Sequence, residues 1–510
     1  MEKEIELTIV SKYIGKSSLY FLVGYPLSFF VGITIAKKVG AENIGLISIY
    51  LSFMQILTFI SLFGTDRGSI KYISKFLGLK NNTNVNRIIL FSLLFPLFSM
   101  GLVLGLYFTF DNQILYFVFP NNPQILKILR IFIYFLPVFV FKQSIIGILR
   151  GLQRPHYDKI EQSIIYPISR IILLFLLILF LGVLYSLLLA TILSITVGVI
   201  FMLIKLKKET LILKKTSNND EKNYFKVSLK EYLYFSLPLV LVPLINIAIS
   251  SVDTLIISQY LEPKSIGVYS IVKRFGLLIS LPLSLSSPMI ASTVSKLFSQ
   301  RKMTEFASIY TFITKWSVFV SSLLFCIIFI YSDDLLLFIG NDFIKGGFAL
   351  KIFAFSQLII VLIGPIGNVL IMGNKKNHFI LYSYISVLIG FTSIAYLTPY
   401  LGLLGSIISI SLIFIIVNVL CLTTLISNYK IYPMSLYYLV TRLAIIALVI
   451  FAHNIIFIQT NFLLNLKIIS IICGSIFIVI SISIYYFLIE KPTTEDLYIL
   501  DKIKEKYRKR

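Results

Sequence analysis

Residues 184–204 read "LYSLLLATILSITVGVIFMLI", a run of mainly apolar residues that contains no charged side chain. An α-helix needs about 20 apolar residues to cross the hydrocarbon core of a bilayer, so this run predicts a membrane-spanning helix. The whole chain shares this character, because 57% of its 510 residues are hydrophobic, 14% are charged and its mean hydropathy is +0.91. The composition therefore predicts an all-α polytopic membrane protein.

Thirteen further apolar windows accompany this run, which gives fourteen predicted transmembrane helices. The fourteen windows are 17–36, 44–64, 88–109, 130–149, 162–181, 184–204, 232–260, 266–294, 311–331, 349–371, 379–397, 403–427, 437–457 and 467–489. When the N-terminus is placed inside, 33 of the 46 Lys and Arg residues fall in inside segments. The positive-inside rule therefore predicts a multi-pass protein of the cell membrane with cytoplasmic N- and C-termini.

The chain repeats itself on the two sides of a polar, lysine-rich segment at 205–230. "NIGLIS" at 43–48 matches "SIGVYS" at 265–270, and "GLQRPHY" at 151–157 matches "GNKKNHF" at 373–379, so both pairs share one offset in the numbering. Repeated halves are common in transporters. The predicted domains are an N-terminal six-helix lobe at 1–204, a cytoplasmic linker at 205–230, a C-terminal six-helix lobe at 231–428, an extra helix pair at 429–489 and a basic cytoplasmic tail at 490–510.

The composition and motifs argue against several other classes of protein. The net charge of +23 is explained by inside loops, so no nucleic-acid partner is expected. The three cysteines lie in apolar segments and predict neither a disulfide nor a metal site. No catalytic motif is found, and Asp333 with Asp334 is interpreted as a solvated pair at a helix end. We therefore expect no enzyme, no catalytic residues and no cofactor.

Ionisable residues inside predicted spans are the strongest functional signal, because charge at membrane depth is costly. Four cations lie deep: Lys142, Arg170, Lys273 and Arg274. Asp253 is the only acid well inside a predicted span, and a salt bridge to the neighbouring Lys273 and Arg274 is expected. Since one carboxylate cannot neutralise four cations, an excess of about three positive charges is expected to face a transport cavity. Lys and Arg suit phosphate oxygens there.

One further cation lies near a helix end. Arg442 lies close to the predicted cytoplasmic end of its span and is expected to snorkel to the interface, so it is not a candidate site residue.

Three segments resemble recurring segments of a known family. They are "AKKVGAENIGLISIYLSFMQILTFISLFGTDRGSIKYIS" at 36–74, "GILRGLQRP" at 147–155 and "SVDTLIISQYLEPKSIGVYSIVKRF" at 251–275. In order and spacing they are similar to the polysaccharide transporter family, the Wzx-type oligosaccharide flippases of the multidrug/oligosaccharidyl-lipid/polysaccharide flippase superfamily. The resemblance extends over almost the whole chain, with two six-helix lobes and a final helix pair.

The resemblance implies a flippase that moves a polyprenyl-(pyro)phosphate-linked oligosaccharide from the cytoplasmic to the outer leaflet by alternating access. Lys273 and Arg274 would bind the anionic head group, and Asp253 would couple an ion or pair with them; Lys142 and Arg170 are added because of their depth. Coupling to H⁺, Na⁺ or the membrane potential stays open. The expected partners are the lipid-linked oligosaccharide, membrane lipids and glycan-assembly enzymes.

Two alternatives remain. A multidrug or small-molecule exporter of the same superfamily would need carboxylates in its cavity if its substrates were cationic. A membrane glycan polymerase or glycosyltransferase would need large outer loops, whereas the predicted outer loops of this chain are all short. The excess of deep cations favours the anionic lipid-linked substrate.

Overall fold

The computed structural model describes most of the chain. The described residues are 2–79, 81–119, 122–215, 228–236, 247–286, 290, 297–298, 300, 302–373, 375–434, 436–460 and 467–486. Every regular element in these ranges is helical, which confirms the predicted all-α membrane fold. The chain divides into two compact units, Met1–Gly267 and Val268–Arg510.

The first unit contains eleven helices and the beginning of a twelfth among the described residues. They are α1 (Glu2–Leu62), α2 (Thr65–Gly78), α3 (Asn82–Thr109), α4 (Asp111–Val118), α5 (Pro123–Phe132), α6 (Leu136–Gly151), α7 (Pro155–Ile160), α8 (Tyr166–Leu177), α9 (Val183–Lys215), α10 (Leu229–Ser236), α11 (Asp253–Ile257) and α12 (Pro263–Gly276). A 3₁₀ turn, Ile133–Phe135, joins α5 to α6, and π-helical turns at Glu161–Ile165 and Ala248–Val252 precede α8 and α11.

The second unit continues α12 and contains eight further helices among the described residues. They are α13 (Met303–Ile330), α14 (Ser332–Ile339), α15 (Gly347–Ile363), α16 (Ile366–Met372), α17 (Lys376–Leu401), α18 (Leu403–Tyr429), α19 (Leu436–Thr460) and α20 (Lys467–Ile484). A buried apolar core joins α13, α15, α16 and α18 through residues such as Tyr310, Val369 and Leu425.

Ten of the described helices are long and apolar enough to cross a membrane, and two shorter apolar helices accompany them. Helix α1 carries the first two predicted spans, which are separated at Gly40, where φ is +81° and the backbone is not helical. Parts of the seventh and eighth predicted spans, and the end of the fourteenth, lie outside the described residues. The fifth predicted span, at 162–181, corresponds to the helical segment Pro155–Leu177 in the structure, which begins seven residues earlier than predicted.

A reciprocal contact between α1 and the start of α12 follows the internal repeat. A Cβ added to Gly45 would lie 1.7 Å from the carbonyl oxygen of Pro263, and one added to Gly267 would lie 1.9 Å from that of Ala41. Positions 41 and 263, like 45 and 267, are related by the offset of the repeat. Such exchange of equivalent partners is typical of a two-fold contact, and only glycine permits backbones to approach so closely.

Helix α10 is held in the first unit by Tyr232, whose side chain is fully buried. Its hydroxyl donates to the carbonyl oxygen of Thr65 at 2.8 Å and lies 3.1 Å from the hydroxyl of Ser69 and 2.9 Å from that of Ser92. The start of the predicted C-terminal lobe, at residue 231, is therefore packed in the first compact unit. The lobe boundaries derived from the repeat stay a prediction.

Candidate functional site

A cavity of about 460 Å³ lies within the first unit, a volume typical of ligand pockets. Much of its wall is formed by one face of α1 and one face of α6. The lining residues of each helix are spaced three, four or seven apart, and residues at this spacing share a helix face. The lining residues are Leu51, Gln55, Thr58, Phe59, Leu62, Asp66, Arg67, Phe139, Lys142, Gln143, Ile146, Arg150, Gln162, Tyr166, Ile195 and Ile247.

Lys142 reaches the cavity from α6 and forms an ion pair with Glu161. Its Nζ donates to Oε1 of Glu161 at 2.8 Å, and the side chains are 15% and 0% exposed respectively. Gly198 on α9 gives Glu161 its space, since a Cβ there would lie 2.4 Å from Oε1. The predicted window at 162–181 leaves out Asp158 and Glu161, whereas the Pro155–Leu177 span contains both near its start, so Asp253 is not the only acid in a span.

Arg150 lies two helical turns from Lys142 on α6, and it also forms an ion pair with a buried carboxylate. Its Nε and Nη2 donate to Oδ2 of Asp158 at 3.2 and 2.5 Å. The arginine side chain is 36% exposed, whereas that of Asp158 is 0% exposed. At about 1.5 Å per residue, Lys142 and Arg150 are about 12 Å apart along the helix axis. The cavity therefore presents cations at two levels.

A third charged pair lies at the beginning of α2, outside the candidate spans. Oδ2 of Asp66 lies 3.5 Å from Nε of Arg67, and both residues line the cavity. Burial raises the pKa of Asp66 above its usual value, while the positive charges of Arg67 and Arg150 oppose that shift. This level of the cavity therefore combines two guanidinium groups with one partly buried carboxyl group.

The pairs formed by Lys142 and Arg150 share one arrangement, in which the cation contacts the cavity and its carboxylate lies behind it. The carboxylate reduces the cost of burying the cation and fixes its position. A ligand in the cavity would contact the nearer, positive partner, and Coulomb energy falls with distance. Glu161 neutralises Lys142, one of the four deep cations, and so lowers the expected excess of positive charge by one; the rest of that expectation stays a prediction.

Tyr166 connects the two deep cations of the first unit. Its ring centre lies 5.2 Å from Nζ of Lys142 and 5.8 Å from the guanidinium carbon of Arg170, within cation–π range. Arg170 donates from Nε to the hydroxyl of Thr191 at 3.0 Å. Lys142 and Tyr166 line the cavity, whereas Arg170 is not among its lining residues. The structure thus brings Lys142 and Arg170 together through one aromatic ring.

The π-helical turn Glu161–Ile165 places Gln162 and Tyr166 at the cavity. Pro167 follows directly, and proline has no N–H to donate to the carbonyl group four residues earlier. Wider π-helical turns commonly form where the regular hydrogen-bond ladder is interrupted, and often at functional sites. The sequence "EQSIIYP" at 161–167 carries this signal through its proline, although hydropathy alone does not show it.

Three glutamines also line the cavity: Gln55, Gln143 and Gln162. The Ser251 hydroxyl donates to Oε1 of Gln55 at 2.7 Å, which connects the segment before α11 to α1. Because amide groups are costly in lipid, three of them at one cavity indicate a polar lining. The sequence shows each glutamine separately but not that they converge.

The remaining predicted residues lie near α11 and α12. Asp253 is fully buried, and its Oδ1 accepts from the backbone N–H of Thr254 at 2.7 Å. Nζ of Lys273 lies 5.3 Å from the ring centre of Tyr269, as expected for residues four apart on a helix. Arg274 is half-buried. The predicted pairing of Asp253 with Lys273 and Arg274, and the roles of these residues, stay predictions.

Arg442 departs from its expected behaviour. It is 3% exposed, and its guanidinium carbon lies 5.2 Å from the ring centre of Tyr486, so it is packed inside the protein. The expectation that it snorkels to the interface is wrong, because the aromatic side chain of the last helix region covers it.

A family model described as "Polysaccharide biosynthesis protein" matches residues 12–293. This match includes the whole cavity of the first unit. No curated protein sequence matches the chain significantly.

Several solved structures share the fold. One is described as "Lipid II flippase MurJ, inward closed conformation", with a TM-score of 0.64, 17% identity, and coverage of 93% of this chain and 99% of that chain. An inward-facing multidrug resistance MATE family transporter of the MOP superfamily has a TM-score of 0.64, 16% identity, and coverage of 82% and 99%. A MOP superfamily transporter from Pyrococcus furiosus has a TM-score of 0.53, 16% identity, and coverage of 82% and 97%.

Proposed function

The chain belongs to the polysaccharide biosynthesis protein family, and from that premise we propose that it flips a polyprenyl-(pyro)phosphate-linked oligosaccharide across the cell membrane. Its fold is that of MOP-superfamily transporters, and the family and the similar structures are transporters and not enzymes. The proposed direction is from the cytoplasmic to the outer leaflet, by alternating access, with both termini in the cytoplasm.

The observation that carries this proposal is the arrangement of charge at the cavity. Lys142, Arg150 and Arg67 contact the cavity, while the carboxylates of Glu161 and Asp158 are sealed behind two of them. Ammonium and guanidinium groups held in this way suit the oxygens of a phosphate group. Because the cations occupy two levels about 12 Å apart, an anionic head group could exchange contacts as it advances.

The predicted residues of the eighth span extend this proposal. We assign Lys273 and Arg274 to binding of the anionic head group, and Asp253 to pairing with them or to coupling of transport to H⁺, Na⁺ or the membrane potential. Arg170 is assigned to the head group as well, next to Lys142, because both cations lie against the ring of Tyr166. The helices α19 and α20 are assigned to the lipid tail, and glycan-assembly enzymes are the proposed protein partners.

Export of cationic drugs is the alternative that belongs to the same superfamily. Such a substrate would need carboxylates facing the cavity, yet Glu161 and Asp158 are fully buried behind their cations. Asp66 is the one acid among the cavity-lining residues that the structure describes, and two arginines accompany it. The arrangement therefore favours an anionic substrate.

Transport in proteoliposomes separates the two functions. Fluorescent undecaprenyl-pyrophosphate-linked N-acetylglucosamine and the cationic dye ethidium would be measured on the same preparation. We expect leaflet exchange of the lipid and no transport of the dye. Transport of ethidium without exchange of the lipid would contradict the proposal. The variant Lys273→Ala/Arg274→Ala should insert normally and lose lipid exchange, and unchanged exchange would remove these residues from the site.

A further inference from the structure

The three cavity glutamines have no part in phosphate binding by charge, because an amide carries no net charge. The chain contains ten glutamines, and three of them line this single cavity from α1, α6 and the π-helical turn before α8. Convergence from three separate segments is not explained by helix packing, since each side chain is exposed toward the cavity and not packed in the core.

Two of these glutamines lie directly beside the deep ion pair. Gln143 follows Lys142 in sequence, and Gln162 follows Glu161, while Lys142 and Glu161 are in contact at 2.8 Å. Gln55 faces the same cavity from α1, with its amide oxygen fixed by Ser251. The three amide groups therefore line the same cavity as Lys142, which would hold a phosphate group.

Two of the three amide groups retain most of their hydrogen-bonding capacity for a ligand, whereas Gln55 accepts from Ser251 and also donates from Nε2 to the Ser250 hydroxyl at 3.5 Å. Gln143 makes no hydrogen bond to any residue that the structure describes, and Gln162 accepts only a long one, 3.4 Å from Nζ of Lys159. A glutamine side chain has two N–H donors and an acceptor oxygen in one plane. Sugar hydroxyls both donate and accept, so they can satisfy such groups, whereas a lipid chain cannot.

We propose that Gln55, Gln143 and Gln162 form a subsite for an uncharged sugar unit, next to the phosphate contact at Lys142. This inference rests on the proposed function and adds to it the chemistry that recognises the glycan. Hydroxyl groups pair with the amides, and the apolar wall, which includes Phe59, contacts the carbon face of the ring. The subsite makes affinity depend on the sugar as well as on the phosphate.

The test compares two lipids on the full-length protein in nanodiscs by native mass spectrometry. One probe is undecaprenyl pyrophosphate, and the other is the same lipid carrying one N-acetylglucosamine. We expect the wild-type protein to bind the sugar-bearing lipid about tenfold more tightly, as a few added hydrogen bonds would provide. The triple variant Gln55→Met/Gln143→Met/Gln162→Met should bind both lipids equally, with unchanged affinity for the sugarless one.

Methionine retains the length of glutamine and is tolerated in a membrane span, so the triple variant is expected to fold. The matched control is Gln113→Met/Gln124→Met, at exposed positions on α4 and α5 outside the cavity lining, which should behave as the wild type. Equal binding of the two lipids by the wild type, or a preference that survives in the triple variant, would overturn the subsite alone. Failure of the wild type to bind either lipid would overturn the proposed function and the subsite together.

Discussion

Two kinds of ion pair lie close together in the sequence of the first unit, and they differ in which partner is sealed. At the cavity, the carboxylates of Glu161 and Asp158 are 0% exposed and their cations are partly open. Away from the cavity, Arg154 contacts Glu209 at 3.0 Å, and both side chains are partly exposed, at 29% and 13%. The charges and the N–O distances are similar in the two kinds of pair, so the two kinds differ mainly in how deeply the carboxylate is buried.

This comparison teaches that the carboxylate behind a cavity cation acts as a built-in counterion. A partly exposed pair gains less from its contact, because water also reaches both groups. A sealed carboxylate depends on its cation for compensation of its charge, and the contact fixes the cation at the cavity wall. The cavity cations are thus available to a ligand without being isolated charges in the membrane.

Removal of the cation from a cavity pair should produce the largest loss of stability, and removal of the cation from the partly exposed pair should produce a much smaller one. Lys142→Met leaves Glu161 buried without its cation, which should lower the free energy of unfolding by about 3–5 kcal/mol. Arg154→Met should lower it by no more than about 1 kcal/mol. Chemical unfolding in detergent measures both, and equal losses would show that burial does not distinguish the pairs.

A change to the space behind Glu161 should have an intermediate effect. Gly198→Ala places a Cβ 2.4 Å from Oε1 of Glu161, so the carboxylate must move away from Lys142. We expect a loss of about 1–3 kcal/mol, as for other overpacked sites. Gly101→Ala on α3 is the control, because its Cβ would meet nothing within 4 Å. If the two alanine variants have the same unfolding free energy, the fit around Glu161 does not matter.

The partly buried Asp66 should give the smallest effect, seen in the dependence of stability on pH. Its pKa is raised in the folded protein above the usual value of 3.8, so the folded state holds the proton more tightly than the unfolded state. Stability should therefore fall as pH rises from the usual pKa through the raised one. Asp66→Asn should remove this slope. A slope of opposite sign in the wild type would contradict the role of burial.

Much of the fold follows from the sequence because hydropathy and the repeat are regular signals. All-α membrane architecture follows from apolar windows such as 184–204, and the offset of the repeat anticipates the reciprocal contact of Gly45 with Pro263 and of Gly267 with Ala41. The kink at Gly40, where φ is +81°, lies between the first two predicted spans. Each of these features depends on local composition or on spacing.

The candidate site is only partly predictable, because its contacts join residues that no local pattern connects. Depth alone identifies Lys142 and Arg170, but the hydropathy window begins at residue 162 and leaves Glu161 in a loop. Charged residues at the start of a span lower the window average even when they are buried. The proline at 167 gives a signal for the π-helical turn, whereas the convergence of three glutamines depends on tertiary packing.

Exchange of the two charges of one pair tests most directly whether the cation must face the cavity. Lys142→Glu/Glu161→Lys retains the ion pair but places the carboxylate at the cavity, and Arg154→Glu/Glu209→Arg makes the same exchange away from it. Leaflet exchange of fluorescent undecaprenyl-pyrophosphate-linked N-acetylglucosamine would be measured in proteoliposomes that contain equal amounts of folded protein. We predict that the first exchange abolishes transport and that the second leaves it at the wild-type rate. Wild-type transport by the Lys142→Glu/Glu161→Lys variant would contradict the account.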